Sequence, residues 1–190
     1  MDKKIGFCIG IGGGVTAFIL CTLAGYTPLI QFLWVGFMTM IIYFAAGGQK
    51  DWALAGRMIC SFVCGLLWGQ LSNLIYVAVF PVNQLLASIL DYLVLVFLLL
   101  FVHLGLLNKT VFGFVPTVFL GLATTIGFWG RPFPYEGHGM MGSLSTPVGM
   151  LILLCLCVFG IVFSLMIQYI AGFFIPKLVK APPQDTEDKK

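Results

Sequence analysis

The chain has 190 residues, of which 60% are hydrophobic and only 9% are charged. Soluble domains carry roughly 25% charged residues, so this composition excludes a soluble globular protein and indicates a chain that a lipid bilayer solvates. The net charge of +3 does not indicate a nucleic-acid partner, because the lysines stand at the ends of apolar runs instead of forming a basic patch.

Six apolar runs follow one another along the chain, and each approaches or exceeds the ~20 residues that a helix needs to cross ~30 Å of hydrocarbon. A helix is the expected form, since a spanning segment must satisfy its backbone hydrogen bonds internally. We therefore predict an all-α polytopic membrane protein, with six transmembrane helices in a single domain over residues 1–180. The polar segment 181–190 is expected to be a disordered cytoplasmic tail. The runs lie near residues 5–24, 29–47, 53–80, 85–107, 110–129 and 147–175.

The first run follows Lys3 and Lys4, as in a signal peptide, but no clear small-x-small cleavage site ends it. It is therefore expected to be the first span. Gly6, Gly10 and Gly14 recur every four residues along this run. Small residues at this spacing line one helix face and are typical of close helix packing in membranes.

The basic residues of the loops predict an orientation. With six crossings, nine of the ten lysine and arginine residues fall on the side of the N-terminus, and only Arg131 falls on the other side. This bias places both termini in the cytoplasm by the positive-inside rule. The nine residues are Lys3, Lys4, Lys50, Arg57, Lys109, Lys177, Lys180, Lys189 and Lys190.

The second and fifth runs resemble each other weakly. An offset of 82 residues places Phe37 on Phe119 and Thr39 on Gly121. Both runs are short and apolar and contain several aromatic residues, and the fifth run is also rich in glycine and threonine. An offset that recurred elsewhere in the chain would indicate an internal duplication.

The third and sixth runs show a second match, in which Gly65 aligns with Gly160 at an offset of 95 residues. The 13 additional residues fit the loop 131–146, which has no counterpart of equal length after the second run. We predict two repeated halves, 5–80 and 85–175, which are inverted because each makes an odd number of crossings. Inverted repeats are common in transporters. The alternative is that apolar sequences align by chance.

The repeated runs also carry a family resemblance. Their patterns read Trp34-x2-Phe37…Tyr43-Phe44-Ala45…Gly48 and Phe114-Val-Pro116…Phe119-x-Gly121…Thr125. Together these resemble a bacterial inner-membrane family of unknown function that includes YcdZ, over roughly residues 15–175. The resemblance implies a multi-pass protein of the bacterial inner membrane and no established activity.

A solute pathway is expected along the second and fifth runs, because hydroxyl groups among aromatic walls suit a small solute that is neutral or weakly charged. Pro116, near the start of the fifth run, is a candidate for a break that exposes backbone groups to this pathway. The alternative is that each threonine bonds its own helix and that the aromatic residues are core or interfacial. The candidate lining residues are Trp34, Phe37, Thr39, Tyr43, Phe44, Phe119, Thr124, Thr125 and Phe128.

Other polar residues have separate predicted roles. Asp91 is the only acid inside an apolar run, and an ionisable group there is a functional candidate, although snorkelling near the outer end would keep it solvated. Asn73 and Gln168 are expected to bond between helices. An outer vestibule is expected to contain Asp91, Arg131, Glu136 and His138.

No metal, cofactor or enzymatic site is expected. His138 with Met140 and Met141 would be a weak copper(I) set, and no nucleophile stands beside a base. All six cysteines lie inside apolar runs, where cysteine acts as a small hydrophobe, without the context of a zinc site. They are Cys8, Cys21, Cys60, Cys64, Cys155 and Cys157.

The function predicted from the sequence is an inner-membrane channel or facilitator for a small polar solute. Its expected partners are the lipid bilayer, the solute and further copies of the chain, since 190 residues are few for a complete pore. A proton-coupled carrier that uses Asp91 and a non-transporting scaffold that docks a partner remain alternatives.

Overall fold

The computed structural model describes residues 3–26, 32–47, 51–128 and 147–178, and every regular element in these ranges is a helix, which confirms the all-α prediction. The fourth helix is continuous but contains two π-helical segments, Ile89–Leu95 and Phe101–Leu106. The six helices are α1 (Lys3–Gly25), α2 (Leu33–Ala45), α3 (Trp52–Val79), α4 (Gln84–Leu106), α5 (Val115–Phe128) and α6 (Pro147–Leu178).

Three of these helices, α3, α4 and α6, are long and apolar enough to cross a membrane, with mean hydropathies of 1.6, 2.7 and 3.0. They indicate a membrane protein. Helices α2 and α5 are shorter than their apolar runs suggest, because 13 and 14 residues extend only about 20 Å. The six-span topology therefore stays a prediction.

Local signals explain where the helices begin and end. Asp51 caps α3, since its Oδ1 accepts the N–H groups of Ala53 at 2.9 Å and Leu54 at 3.1 Å. Helix α2 is followed by Gly47 at a φ of 77°, a conformation that glycine adopts at low cost after a helix. Pro116 lies in the first turn of α5, so it starts this helix instead of interrupting it.

Most contacts between helices join a helix of one predicted half to a helix of the other half. Helix α3 packs against α5, while α1 and α2 pack against α6, and α4 lies along α3. Buried clusters join Val35 and Phe62 to Leu153, and Trp68 of α3 packs on the cluster that contains Leu99 and Val118. The core therefore lies at the contacts between the halves.

The glycines of α1 do not all serve this packing. Gly10 and Gly14 are exposed, and an added Cβ at either would meet no atom within 4 Å. Gly12 instead faces α6, where an added Cβ would lie 2.9 Å from the carbonyl oxygen of Ile167. The four-residue spacing thus does not identify the glycine that makes the contact within the chain, because periodicity does not reveal which face has a neighbour.

Candidate functional site

Helices α3 and α5 cross in close backbone contact. A Cβ added to Gly65 would lie 2.1 Å from the carbonyl oxygen of Val118 and 2.9 Å from the Cα of Gly121. A Cβ added to Gly121 would meet the carbonyl oxygen of Phe62 at 2.4 Å. Only glycine permits this approach, so the two helices are in backbone contact at Gly65 and Gly121.

The crossing of α2 and α6 has the same construction. A Cβ added to Gly160 would lie 2.2 Å from the carbonyl oxygen of Gly36 and 2.9 Å from the Cβ of Thr39. A void of only about 10 Å³ adjoins Gly36 and Gly160, which is at most enough for one water molecule. Both short helices are thus held against a long helix of the other half.

The candidate hydroxyl groups lie at these crossings and bond within the chain. Thr39 donates to the carbonyl oxygen of Val35 at 2.8 Å. Thr124 and Thr125 both donate to the carbonyl oxygen of Gly121 at 2.9 Å, and a Cβ on Gly69 would lie 2.4 Å from the Cβ of Thr125. Each of the three threonines is at most 1% exposed. Their hydroxyls are enclosed between packed helices in this conformation.

Tyr43 is fully buried near the C-terminal end of α2, among Leu54, Met58 and Ile161. Its hydroxyl donates to the backbone carbonyl oxygen of Asp51 at 3.3 Å. This bond ties the end of α2 to the residue that caps α3.

The aromatic candidates divide into two groups. Trp34 and Phe44 lie on the outer surface of α2, 40% and 36% exposed. Phe37 packs edge to face on Phe163, with ring centroids 5.8 Å apart, and Phe119 packs on the cluster around Leu99. The side chain of Phe128 lies outside the described residues. The structure therefore brings Phe37 and Phe119 into the contact between helices, whereas Trp34 and Phe44 are partly exposed.

Asp91 is 8% exposed, and its Oδ1 has no hydrogen-bond partner among the described residues. It lies in the first π-helical segment of α4, an irregularity that is frequent at functional sites. Snorkelling would have predicted a solvated carboxylate, but the side chain is buried.

The other polar candidates are placed as follows. Asn73 is 6% exposed, and its Nδ2 has no acceptor within the described part of the chain; Gln168 is half-buried on α6. Arg131, Glu136 and His138, which are predicted for the vestibule, lie outside the described residues. No three His, Cys, Asp or Glu side chains converge in the described ranges as a metal site would require.

His103 is a buried polar residue whose role the sequence did not reveal. Trp68 donates from its indole nitrogen to Nε2 of His103 at 3.0 Å, and Nδ1 lies 2.6 Å from the carbonyl oxygen of Phe112. An indole nitrogen only donates, so Nε2 accepts and Nδ1 carries the proton. His103 therefore fastens α4 both to α3 and to the segment before α5.

Two further residues of α3 hold the segment that precedes α5. Ser61 donates to the carbonyl oxygen of Val111 at 3.2 Å and accepts the N–H of Phe114 at 3.0 Å. Arg57 donates from Nη2 to the carbonyl oxygen of Asn108 at 3.3 Å. The connection between α4 and α5 is therefore fixed in position on α3.

One family model matches the chain, over residues 10–172, and its description is a protein of unknown function, DUF1097. No curated protein matches, and no solved structure matches.

Proposed function

We propose that this chain, which belongs to the DUF1097 family of proteins of unknown function, is a membrane channel or facilitator for a small polar solute. On this proposal all six helices cross the bacterial inner membrane as two inverted halves, both termini are cytoplasmic, and several copies assemble. The basic residues of the loops support the orientation. We also identify the family with the one that includes YcdZ, which the motifs resemble.

The correspondence between the two helix crossings carries the proposal. Gly65 approaches Val118 and Gly121, and Gly160 approaches Gly36 and Thr39. Val118 comes 82 residues after Gly36, Gly121 comes 82 after Thr39, and Gly160 comes 95 after Gly65. These are the two offsets that align the repeated runs, so equivalent positions make equivalent contacts in the two halves.

Such an arrangement suits transport. Inverted repeats place equivalent elements about the middle of the bilayer, where transporters bind their solutes at the interface between the repeats. Here that interface consists of the short helices α2 and α5, which are packed against α6 and α3. The buried hydroxyls of Thr39 and Thr125 lie along it. With both crossings filled, the described conformation is the closed state of the proposed channel.

A second candidate function, a proton-coupled carrier, is favoured by Asp91. Its carboxyl group is buried and has an oxygen without a partner in the described part of the chain. Ionisable groups inside membrane helices are expensive and mark ion and proton pathways.

A third candidate, a non-transporting scaffold, is favoured by the filled crossings themselves. A scaffold needs no interior path, and the threonine hydroxyls are already bonded to carbonyl groups of their own helix. A scaffold would give no solute flux, whereas a channel or a carrier would, so flux measurements distinguish the scaffold from both transport functions.

The experiment is solute flux into proteoliposomes, followed by light scattering, for urea, glycerol, formamide and short carboxylic acids. Thr39→Val and Thr125→Val remove a hydroxyl and keep the side-chain shape, so each is expected to slow flux by at least about threefold while the protein remains folded. Thr22→Val is the matched control, because Thr22 makes the same bond to the carbonyl oxygen of Phe18 at an exposed position.

Asp91→Asn decides between the two modes of transport. A carrier loses its dependence on an imposed pH gradient, whereas a channel conducts as before, and Asp185→Asn in the tail controls for the lost charge. Equal scattering from protein-loaded and empty vesicles across the panel, with and without the gradient, would exclude transport and favour the scaffold.

A further inference from the structure

A groove between α3 and α4 is the feature that the proposed function does not use. It encloses a cavity of about 350 Å³ lined by Cys64, Leu67, Trp68, Leu71, Val102 and Leu107, with His103 at its base. Leu67 and Leu71 are 58% and 43% exposed, so the groove opens on the outer surface of the helix bundle. In a membrane this surface faces lipid, and an apolar groove there takes hydrocarbon.

A cationic side chain stands at one end of the groove. Arg57, Cys64, Trp68 and Leu71 recur at intervals of seven, four and three residues along α3, which places them on one helix face. The guanidinium group of Arg57 donates from Nη2 to the carbonyl oxygen of Asn108. Asn108 directly follows Leu107, which lines the groove.

The guanidinium group has an unused donor. Nε of Arg57 is buried and has no acceptor among the described residues. Asp51, the acid nearest to it in the sequence, uses its Oδ1 to cap α3. The guanidinium group also keeps Nη donors beyond the one that bonds Asn108, and such an arginine fork is suited to a phosphate oxygen.

A second cation lies beside the first. Lys109 follows Asn108 directly and is exposed, and Thr110 next to it is also exposed. Two positive charges at the end of a groove favour an anionic headgroup over a zwitterionic one, whose ammonium group they would repel. Basic pockets between membrane helices are known to bind anionic lipid headgroups.

The dimensions of the groove fit one leaflet. Arg57 and Trp68 are 11 residues apart on α3, which is about 16 Å along the helix. One leaflet contributes about 15 Å to a hydrocarbon core of ~30 Å. A phosphate at Arg57 therefore allows an acyl chain to extend along the groove as far as Trp68.

We propose that this groove binds an anionic phospholipid, with the phosphate at Arg57 and Lys109 and one acyl chain between α3 and α4. The site depends only on the membrane location of the protein and not on transport. The lipid would hold α4 and the segment before α5 against α3, next to the bonds that His103 and Ser61 make.

The test is binding of fluorescent phosphatidylglycerol to the purified full-length protein in a neutral detergent, with fluorescent phosphatidylcholine as the comparison. Wild-type protein is expected to bind phosphatidylglycerol more tightly by at least fivefold. Arg57→Gln and Lys109→Gln are each expected to weaken that binding by roughly fivefold. Lys4→Gln removes an equal charge at the other end of the sequence and is expected to leave the binding unchanged.

A further variant and two competitors separate the contributions of the headgroup and the acyl chain to binding. Leu67→Trp fills the groove and keeps both cations, so it is expected to weaken phosphatidylglycerol binding as well. Inorganic phosphate and glycerol phosphate are expected to compete poorly. Equal affinity for the two lipids, unchanged binding in Lys109→Gln, or full competition by inorganic phosphate would each overturn the proposal. Lys109 is exposed, so its variant is not expected to misfold.

Discussion

At the scale of single residues, polar groups in this chain are used to fasten helices together. His103 receives the indole N–H of Trp68 and donates to the carbonyl oxygen of Phe112, while Ser61 both donates and accepts. The threonines instead bond carbonyl groups of their own helix. A hydroxyl or an imidazole inside an apolar helix is thus first a structural group, and any transport role is added to that.

Replacing His103 tests this fastening. His103→Leu leaves the indole N–H of Trp68 and the carbonyl group of Phe112 without partners, so we expect a loss of about 1–3 kcal/mol in stability. Thermal unfolding in detergent measures the loss. Trp68→Phe removes one of the two bonds and is expected to cost less.

A double substitution provides the control. Once His103 is replaced by Leu, adding Trp68→Phe is expected to cost less than it does in the wild-type protein, because the bond is already lost. Fully additive losses would show that the two side chains do not interact in the membrane protein.

At the scale of elements, backbone contact at glycine holds the short helices. In lipid no hydrophobic gain drives helices together, so close packing and hydrogen bonds must do so. Gly65 with Gly121, and Gly160 with Gly36, permit approach at the level of the backbone. The short helices α2 and α5 are each held mainly by one such crossing with a long helix.

Glycine-to-alanine substitutions within α3 test this contact. Gly65→Ala forces a methyl group onto the carbonyl oxygen of Val118, and we expect a loss of about 2–3 kcal/mol or more. Gly56→Ala is the matched control in the same helix, where a Cβ meets nothing within 4 Å, and a gain of about 0.5–1 kcal/mol is expected. Unfolding in detergent measures both changes.

The same contrast is expected in α6. The Cβ that Gly160→Ala adds would clash with the carbonyl oxygen of Gly36, so a loss of stability is expected, whereas the Cβ that Gly172→Ala adds has no atom within 4 Å. Equal losses for Gly65→Ala and Gly160→Ala would support the equivalence of the two crossings. A loss at only one of them would contradict it.

At the scale of the whole molecule, the main contacts between helices join one predicted half to the other, since α3 packs on α5 and α2 packs on α6. The two halves therefore depend on each other for stability, because each short helix of about 20 Å packs mainly against a long helix of the opposite half. The six-span arrangement follows if the short helices cross the bilayer with their flanking residues.

Reporter fusions test the six-span topology. A fluorescent protein fused after Lys190 is expected to fluoresce, and alkaline phosphatase fused there is expected to be inactive, since six crossings return the C-terminus to the cytoplasm. Phosphatase inserted after Gly139, in the loop 131–146, is expected to be active. If the N-terminus is cytoplasmic, as the basic residues of the loops predict, activity of the fusion after Lys190 would require an odd number of crossings and would exclude two inverted three-helix halves.

Some of this structure could be predicted from the sequence because it depends on local properties. An apolar run must satisfy its own backbone in lipid, so each run predicts a helix near the observed one. The lengths of α2 and α5 could not be predicted as well, since an apolar run continues past the residue at which the helix ends. The Thr39 and Thr125 pathway stays a prediction, as does the vestibule, for which Arg131, Glu136 and His138 lie outside the described ranges.

The sequence by itself determined that this is an all-helical membrane protein, because composition and apolar run length are properties of each segment alone. Only the tertiary structure decided which of its glycines are in contact, since Gly65 and Gly56 are equivalent in helix α3 until α5 is placed beside one of them. It likewise decided that Gly12 rather than Gly10 faces α6, and that Trp68 reaches His103. Contacts between helices depend on their relative rotation and depth, and neither is encoded in the periodicity of one helix.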